Sequence, residues 1–192
     1  MSSDSIARAG VIAAVYAAFT LLAIFTLQGL AWGPIQFRVS EAVTVLALFT
    51  KSAIPGLTLG CAIANLIAIP FTGVGALGFL DVVFGSIATC VGAIWMYRFR
   101  SRPLVALAGP VISNALIVPA YLPILVMGFG FYTIPFTTID IEGAFVPMYI
   151  FGAIAMLVGQ GVVLYALGYP LQRALARIGI FKEREPGQEA SA

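Results

Sequence analysis

Apolar residues along this chain gather into six blocks, at 9–32, 41–50, 54–71, 80–97, 104–127 and 144–167, and the breaks between them hold Gly, Pro and nearly all of the charge. No block alternates strictly between apolar and polar positions, so the period-2 mark of strands is missing and helices are predicted throughout. A helix that crosses a bilayer takes about 20 residues. The second block is clearly shorter than that and the third is marginal. Composition then fixes the solvent. With 61% hydrophobic and 9% charged residues and a mean hydropathy of +1.04, a soluble globular domain is excluded. In lipid only helices and closed barrels satisfy the backbone. The expected fold is an all-α membrane protein, a bundle of six transmembrane helices. Residues 1–181 form its single domain, and the polar stretch 182–192 is a disordered cytoplasmic tail. Within that domain 171–181 is amphipathic and carries Arg173 and Arg177 at the membrane surface. Residues 1–8 are short and polar and the block after them is too long for a signal-peptide core, so no cleaved leader is expected.

Charge placement orients the bundle. Six helices put both termini on one side, and Arg8, Lys51, Arg98, Arg100, Arg102, Arg173, Arg177, Lys182 and Arg184 all fall on it, with Arg38 alone opposite. By the positive-inside rule that side is cytoplasmic. The far-side loops 33–40, 72–79 and 128–143 each lie near acid: Glu41, Asp81, and Asp140 with Glu142. A bacterial cell membrane with both termini inside is the expected location.

Depth follows from the helical rise of about 1.5 Å per residue. Glu41 lies ten residues from Lys51, Asn65 ten from Pro55, Asn114 eleven from Pro103 and Gln160 ten from Pro170. All four polar side chains therefore reach about the same level, roughly 15 Å from the inner surface. The short second helix makes the loop 33–40 dip into the membrane. Irregular backbone is tolerated there only when packed in protein or lining a cavity, so this loop is expected to wall a pocket open to the outside. Ionisable groups at such depth are expensive and mark substrate or ion sites.

Each of these residues also has a purely structural reading. Ser40 fits an N-cap, with Glu41 favoured by the helix terminus, and Asp81 fits a cap on the fourth helix. Arg38 and Glu41 fit an ion pair closing the loop. Asn65, Asn114 and Gln160 fit interhelical hydrogen bonding. Trp32, Tyr121, Phe131, Tyr132 and Tyr149, near the outer ends of helices, fit an aromatic belt, with one or two free to stack on a planar ligand. On the first helix Ala9, Ala13 and Ala17 recur every four residues, with Ala14 and Ala18 beside them. Such a small-residue stripe serves either packing within the bundle or docking to another membrane subunit.

Several chemistries are excluded. The chain has no His, which removes the usual zinc site and general base. Cys61 and Cys90 both lie in apolar blocks and read as buried thiols rather than a disulfide. There is no G-x-x-x-x-G-K-[ST], G-x-S-x-G or H-E-x-x-H sequence, so neither P-loop ATP hydrolysis nor serine or zinc hydrolysis is expected. An enzyme is the weakest functional class, and no cofactor and no nucleic-acid partner are expected.

Four segments carry a family resemblance: Gln36–Phe37–Arg38–Val39–Ser40–Glu41–Ala42; Ile54–Pro55–Gly56–Leu57; Ala64–Asn65–Leu66; and Leu80–Asp81–Val82–Val83–Phe84–Gly85–Ser86–Ile87–Ala88–Thr89. With six short helices and the alanine stripe, the chain resembles the substrate-binding S component of energy-coupling factor (ECF) vitamin transporters. Within that group it is most similar to the queuosine-precursor, QueT-type family, over most of 11–167. The resemblance implies an S component that binds its cargo from outside with high affinity and docks on a transmembrane T component powered by two ATPase subunits. It then topples in the membrane to release the cargo. It also implies that Ala9, Ala13, Ala14, Ala17 and Ala18 contact the T component. The implied cargo is a 7-deazaguanine, the aminomethyl form above all.

Such a ring offers two adjacent N–H donors and one carbonyl acceptor, and its aminomethyl arm is cationic. Carboxylates suit the paired donors and the amine, amides suit the carbonyl and a ring nitrogen, and an aromatic wall suits the flat ring. On that basis Glu41, Asp81 and Glu142 divide the donor-binding tasks and Asn65 and Asn114 supply amide contacts. Phe37 and Tyr121 line the ring, and Arg38 orients Glu41 and holds the loop. The outward acidic bias favours the amine over the neutral nitrile precursor. The alternative is a self-sufficient secondary transporter of a nucleobase-like or vitamin-like solute, working without ATP.

Overall fold

The computed structural model describes residues 2–27, 38–73, 75–121, 123–124, 138, 140 and 145–179, and these are helical without a strand apart from short turns and single residues. Six helices follow one another: α1 (Ser3–Leu27), α2 (Val39–Leu48), α3 (Ala53–Thr72), α4 (Gly75–Arg98), α5 (Pro103–Ala120) and α6 (Phe145–Ile178). All except α2 are long and apolar enough to cross a membrane. Each long helix turns large apolar side chains outward, such as Phe19, Leu59, Val91, Leu116 and Ile154. Exposure of that kind is stable only where the solvent is hydrocarbon, and the chain is a multi-pass membrane protein.

The second helix departs from the expectation of an ordinary short α-helix. It is a 3-10 helix of ten residues. Its rise of about 2.0 Å per residue stretches it to about 20 Å, so Glu41 sits somewhat farther from Lys51 than α-helical arithmetic gives. Runs of 3-10 helix this long are uncommon because the hydrogen-bond geometry is poorer. Here the surroundings supply the stability: α2 packs against all five other helices, and Ser40 through Val45 are all buried. Ser40 is no cap. Arg38 takes the N-cap position without a side-chain cap bond, and the Ser40 hydroxyl has no protein partner.

The long helices pack in the order α1 on α3, α3 on α4, α4 on α5 and α5 on α6. Glycines permit the close approach of α1 and α3. A Cβ on Gly56 would lie 2.7 Å from the carbonyl oxygen of Ala9, and one on Gly60 would lie 2.6 Å from that of Ala13. The structure therefore divides the alanine stripe. Ala13 and Ala17 are buried, with Ala13 against α3, Ala9 is half-buried, and Ala14 and Ala18 face outward.

Two apolar clusters fill the interior. One gathers Tyr16, Cys61, Ala93, Val111 and Leu164, and the other Ala23, Ala68, Ala115 and Met156 with Leu80 against it. On every long helix a buried polar residue falls between them: Thr20 on α1, Asn65 on α3, Ser86 and Thr89 on α4, Asn114 on α5 and Gln160 on α6. A polar layer thus crosses the bundle between two greasy plugs. Two π-helical turns interrupt the long helices, Asp81–Gly85 in α4 and Val163–Gly168 in α6, and the first delivers Asp81 into that layer. Such turns recur at functional sites because one extra residue re-aims a side chain. The last ten residues of α6, Tyr169–Ile178, have none of their side chains buried, as the amphipathic pattern of Arg173 and Arg177 requires. The tail at 182–192 lies outside the described residues.

Candidate functional site

Asp81 is the hub of the polar layer. Its Oδ2 accepts a hydrogen bond from Arg38 Nη2 at 3.1 Å, a buried ion pair. Its Oδ1 accepts one from the Tyr121 hydroxyl at 2.5 Å. The Asp81 carbonyl oxygen accepts one from Asn65 Nδ2 at 3.0 Å, and the same amide nitrogen lies 3.5 Å from Cys61 Sγ. Four separate stretches of chain meet at this residue: the start of α2, the middle of α3, the π turn of α4 and the end of α5. Gly85 lies flush against the group, since a Cβ there would lie 3.3 Å from Asn65 Nδ2, 3.5 Å from Asp81 Oδ1 and 3.7 Å from the Tyr121 hydroxyl.

Glu41 lies beside this hub. Its Oε1 accepts a hydrogen bond from the Tyr16 hydroxyl of α1 at 2.7 Å, while Oε2 is buried without a protein partner. The Arg38 charge reaches Glu41, Tyr16 and Tyr121 as well as Asp81. Cys61 is within electrostatic reach of Glu41, Arg38 and Asp81. The Glu41–Tyr16 pair and the Asp81 group are therefore two halves of one buried site. Arg38, Glu41, Asn65, Asp81 and Tyr121 are each 5% exposed or less.

Three structural readings of the sequence are corrected here. Asp81 does not cap a helix, because α4 begins at Gly75 and Asp81 points into the bundle. The ion pair of Arg38 shown by the structure is to Asp81, across 43 residues of sequence, rather than to Glu41 three residues away. Tyr121 is not part of an aromatic belt: it is buried, and its ring stacks on Phe84 with centroids 5.7 Å apart. Asn114 is buried in the same layer but hydrogen-bonds to none of the residues above. Its Nδ2 is without a protein partner. Phe37 and Glu142 lie outside the described residues, as do Trp32, Phe131 and Tyr132. Tyr149 is half-buried and donates to the carbonyl oxygen of Leu116 at 3.0 Å.

Sequence reasoning missed Tyr16. Its signal was a hydroxyl in the middle of an otherwise apolar helix, on the same face as Ala13 and Thr20. It also missed Ser86 as a site residue, although the residue sits inside a segment singled out for other reasons.

Six buried polar side-chain atoms of this layer have no protein partner: Ser40 Oγ, Glu41 Oε2, Asn65 Oδ1, Ser86 Oγ, Asn114 Nδ2 and Gln160 Oε1. Each unsatisfied buried group costs about 1–3 kcal/mol, and native proteins leave few of them. Gathered in one layer, they form a surface whose hydrogen bonds are left to water or a small molecule to complete. The Asn65 orientation is set by its Nδ2 facing the Asp81 carbonyl oxygen, which leaves Oδ1 as an acceptor. The surface is thus rich in acceptors and suits a ligand rich in N–H donors. Among the described residues no three His, Cys, Asp or Glu side chains converge as a metal site.

A family model described as QueT transporter matches residues 6–177. The chain is also similar to the "Queuosine precursor transporter QueT" of Lactococcus lactis subsp. cremoris (strain MG1363), with 36% identity over 94 residues, a stretch that covers 47% of this chain and 50% of that protein. The chain therefore spans about half the length of the curated relative it matches. No solved structure matches it.

Proposed function

The chain belongs to the QueT transporter family, and from that premise we propose that it is the membrane-embedded, substrate-binding S component of an ECF-type importer of a queuosine precursor. The cargo is a 7-deazaguanine, with the aminomethyl form preferred. The observation that carries this reading is the layer of unpartnered buried polar atoms around Glu41, Asn65 and Ser86. A deazaguanine presents two adjacent N–H donors that match acceptors of this kind, and an apolar surround suits the ring faces. Tyr121 and the carboxylate of Asp81 shape the site from the α4–α5 side. The relative named above is described as a transporter of the same precursor class, which agrees with that choice.

The energy source belongs to other chains in this proposal. The sequence carries no P-loop, so ATP hydrolysis falls to two separate ATPase subunits acting through a T component. Ala14 and Ala18, which face outward on α1, offer small side chains at a four-residue spacing for that docking. The membrane is the bacterial plasma membrane, with both termini cytoplasmic by the positive-inside rule.

The test is reconstitution into liposomes. The isolated chain is expected to bind radiolabelled 7-aminomethyl-7-deazaguanine tightly but to accumulate it only with the T component, the ATPases and ATP. Uptake by the chain alone, without nucleotide, would replace this reading with a secondary transporter. Absence of binding would remove the cargo.

A further inference from the structure

The two carboxylates that the described residues bring to the site are not equivalent. Asp81 has both side-chain oxygens engaged, Oδ2 by Arg38 at 3.1 Å and Oδ1 by Tyr121 at 2.5 Å. Glu41 has one oxygen engaged, by the uncharged Tyr16 hydroxyl at 2.7 Å, and the other open. We infer that the open Glu41 oxygen receives the cationic amine of the ligand, and that Asp81 is a positioning residue held between Arg38 and Tyr121. The inference rests on the 7-deazaguanine reading above and assigns the task that the sequence left undivided.

Charge balance points the same way. The buried acidic and basic side chains among the described residues of the site, apart from its tyrosines and Cys61, are one guanidinium, Arg38, and two carboxylates, Glu41 and Asp81. Ionised, they sum to one negative charge in a low-dielectric layer, where an uncompensated carboxylate is strongly disfavoured. Arg38 is in direct contact with Asp81. A ligand ammonium at Glu41 Oε2 supplies the missing positive charge and a charge-assisted hydrogen bond at once. A neutral ligand of the same shape supplies neither.

The ring of the ligand is then served by different atoms. Asn65 Oδ1 and Ser86 Oγ are both buried and unpartnered. Asn65 is turned by its bond to the Asp81 carbonyl oxygen. That bond is to the main chain of Asp81, so the Asn65 amide keeps its orientation in Asp81→Asn. The Asp81 carboxylate acts on the site by neutralising Arg38 and holding the Tyr121 hydroxyl.

The experiment compares two ligands of nearly equal size that differ in charge, 7-aminomethyl- and 7-hydroxymethyl-7-deazaguanine. Their dissociation constants are measured by titration calorimetry on the full chain in detergent micelles. The wild type is expected to prefer the amine on the order of ten- to a hundred-fold, the worth of a buried charge-assisted bond. Glu41→Gln keeps the shape and the Tyr16 contact, and is expected to bring that ratio close to one. Asp81→Asn is expected to weaken both ligands alike and leave the ratio standing. A Glu41→Gln protein that keeps the ratio, or an Asp81→Asn protein that loses it, overturns the assignment. The wild-type ratio is a check that needs no variant to fold: equal affinity for amine and alcohol overturns the cationic contact even if both bind well. A wild type that binds neither compound overturns the cargo reading itself.

Discussion

Neutralising Asp81 tests the energetic logic of the buried layer. Asp81→Asn preserves size and leaves an acceptor for the Tyr121 hydroxyl, but it removes the charge facing Arg38 Nη2 at 3.1 Å. The guanidinium stays buried, with a side chain only 6% exposed. Breaking one side of a buried pair costs about 3–5 kcal/mol, because the surviving charge is left poorly compensated. The lower end applies here, since the Glu41 carboxylate lies within electrostatic reach of Arg38. For a chain of this length about 3 kcal/mol corresponds to a fall in melting temperature of roughly 6–12 °C, readable by tryptophan fluorescence in detergent. Removing the guanidinium as well, by Arg38→Met with Asp81→Asn, takes away the stranded charge, so the double variant is expected to be more stable than Asp81→Asn alone. A melting temperature unchanged within about 2 °C in the single variant, or a double variant that loses the sum of both single losses, would refute the idea that this pair is a mutually dependent unit.

Four further outcomes follow from the packing and hydrogen bonding. Gly60→Val is expected to destabilise by about 1–3 kcal/mol or more, because the new Cβ would meet the Ala13 carbonyl oxygen at 2.6 Å and backbone cannot step aside. Gly10→Ala on the same helix pair meets nothing within 4 Å and should be neutral or raise stability by up to about 1 kcal/mol; paired thermal melts check both. Gly85→Ala places a methyl 3.3 Å from Asn65 Nδ2 and 3.5 Å from Asp81 Oδ1, so it should weaken ligand binding several-fold or more, roughly the effect of about 1 kcal/mol, with a smaller change in melting temperature than Asp81→Asn. Equal affinity in a calorimetric titration would place the ligand elsewhere. Tyr16→Phe removes the donor to Glu41 Oε1, a charge-assisted bond worth about 1.5–3 kcal/mol, and an unchanged melting curve would show that Glu41 is held by something else.

The sequence alone determined the solvent and the scaffold. Hydropathy and block length required membrane helices, and their count and breaks matched the structure, because the bilayer leaves the backbone so few alternatives. Its level arithmetic grouped Asn65, Asn114 and Gln160, and each is buried between the two apolar clusters of the bundle; for Glu41 it used an α-helical rise, whereas α2 is a 3-10 helix. What it could not supply was pairing. Arg38 with Asp81, Tyr121 with Asp81 and Tyr16 with Glu41 join residues 43, 40 and 25 positions apart, and a one-dimensional reading favours the neighbour three residues away. The 3-10 form of α2 was equally illegible, because it is held by burial among five helices rather than by its own propensities. The same holds for the π turn that swings Asp81 inward. Local sequence fixes how far along the membrane normal a side chain lies; only the packed bundle decides which face it turns to and which charge it meets.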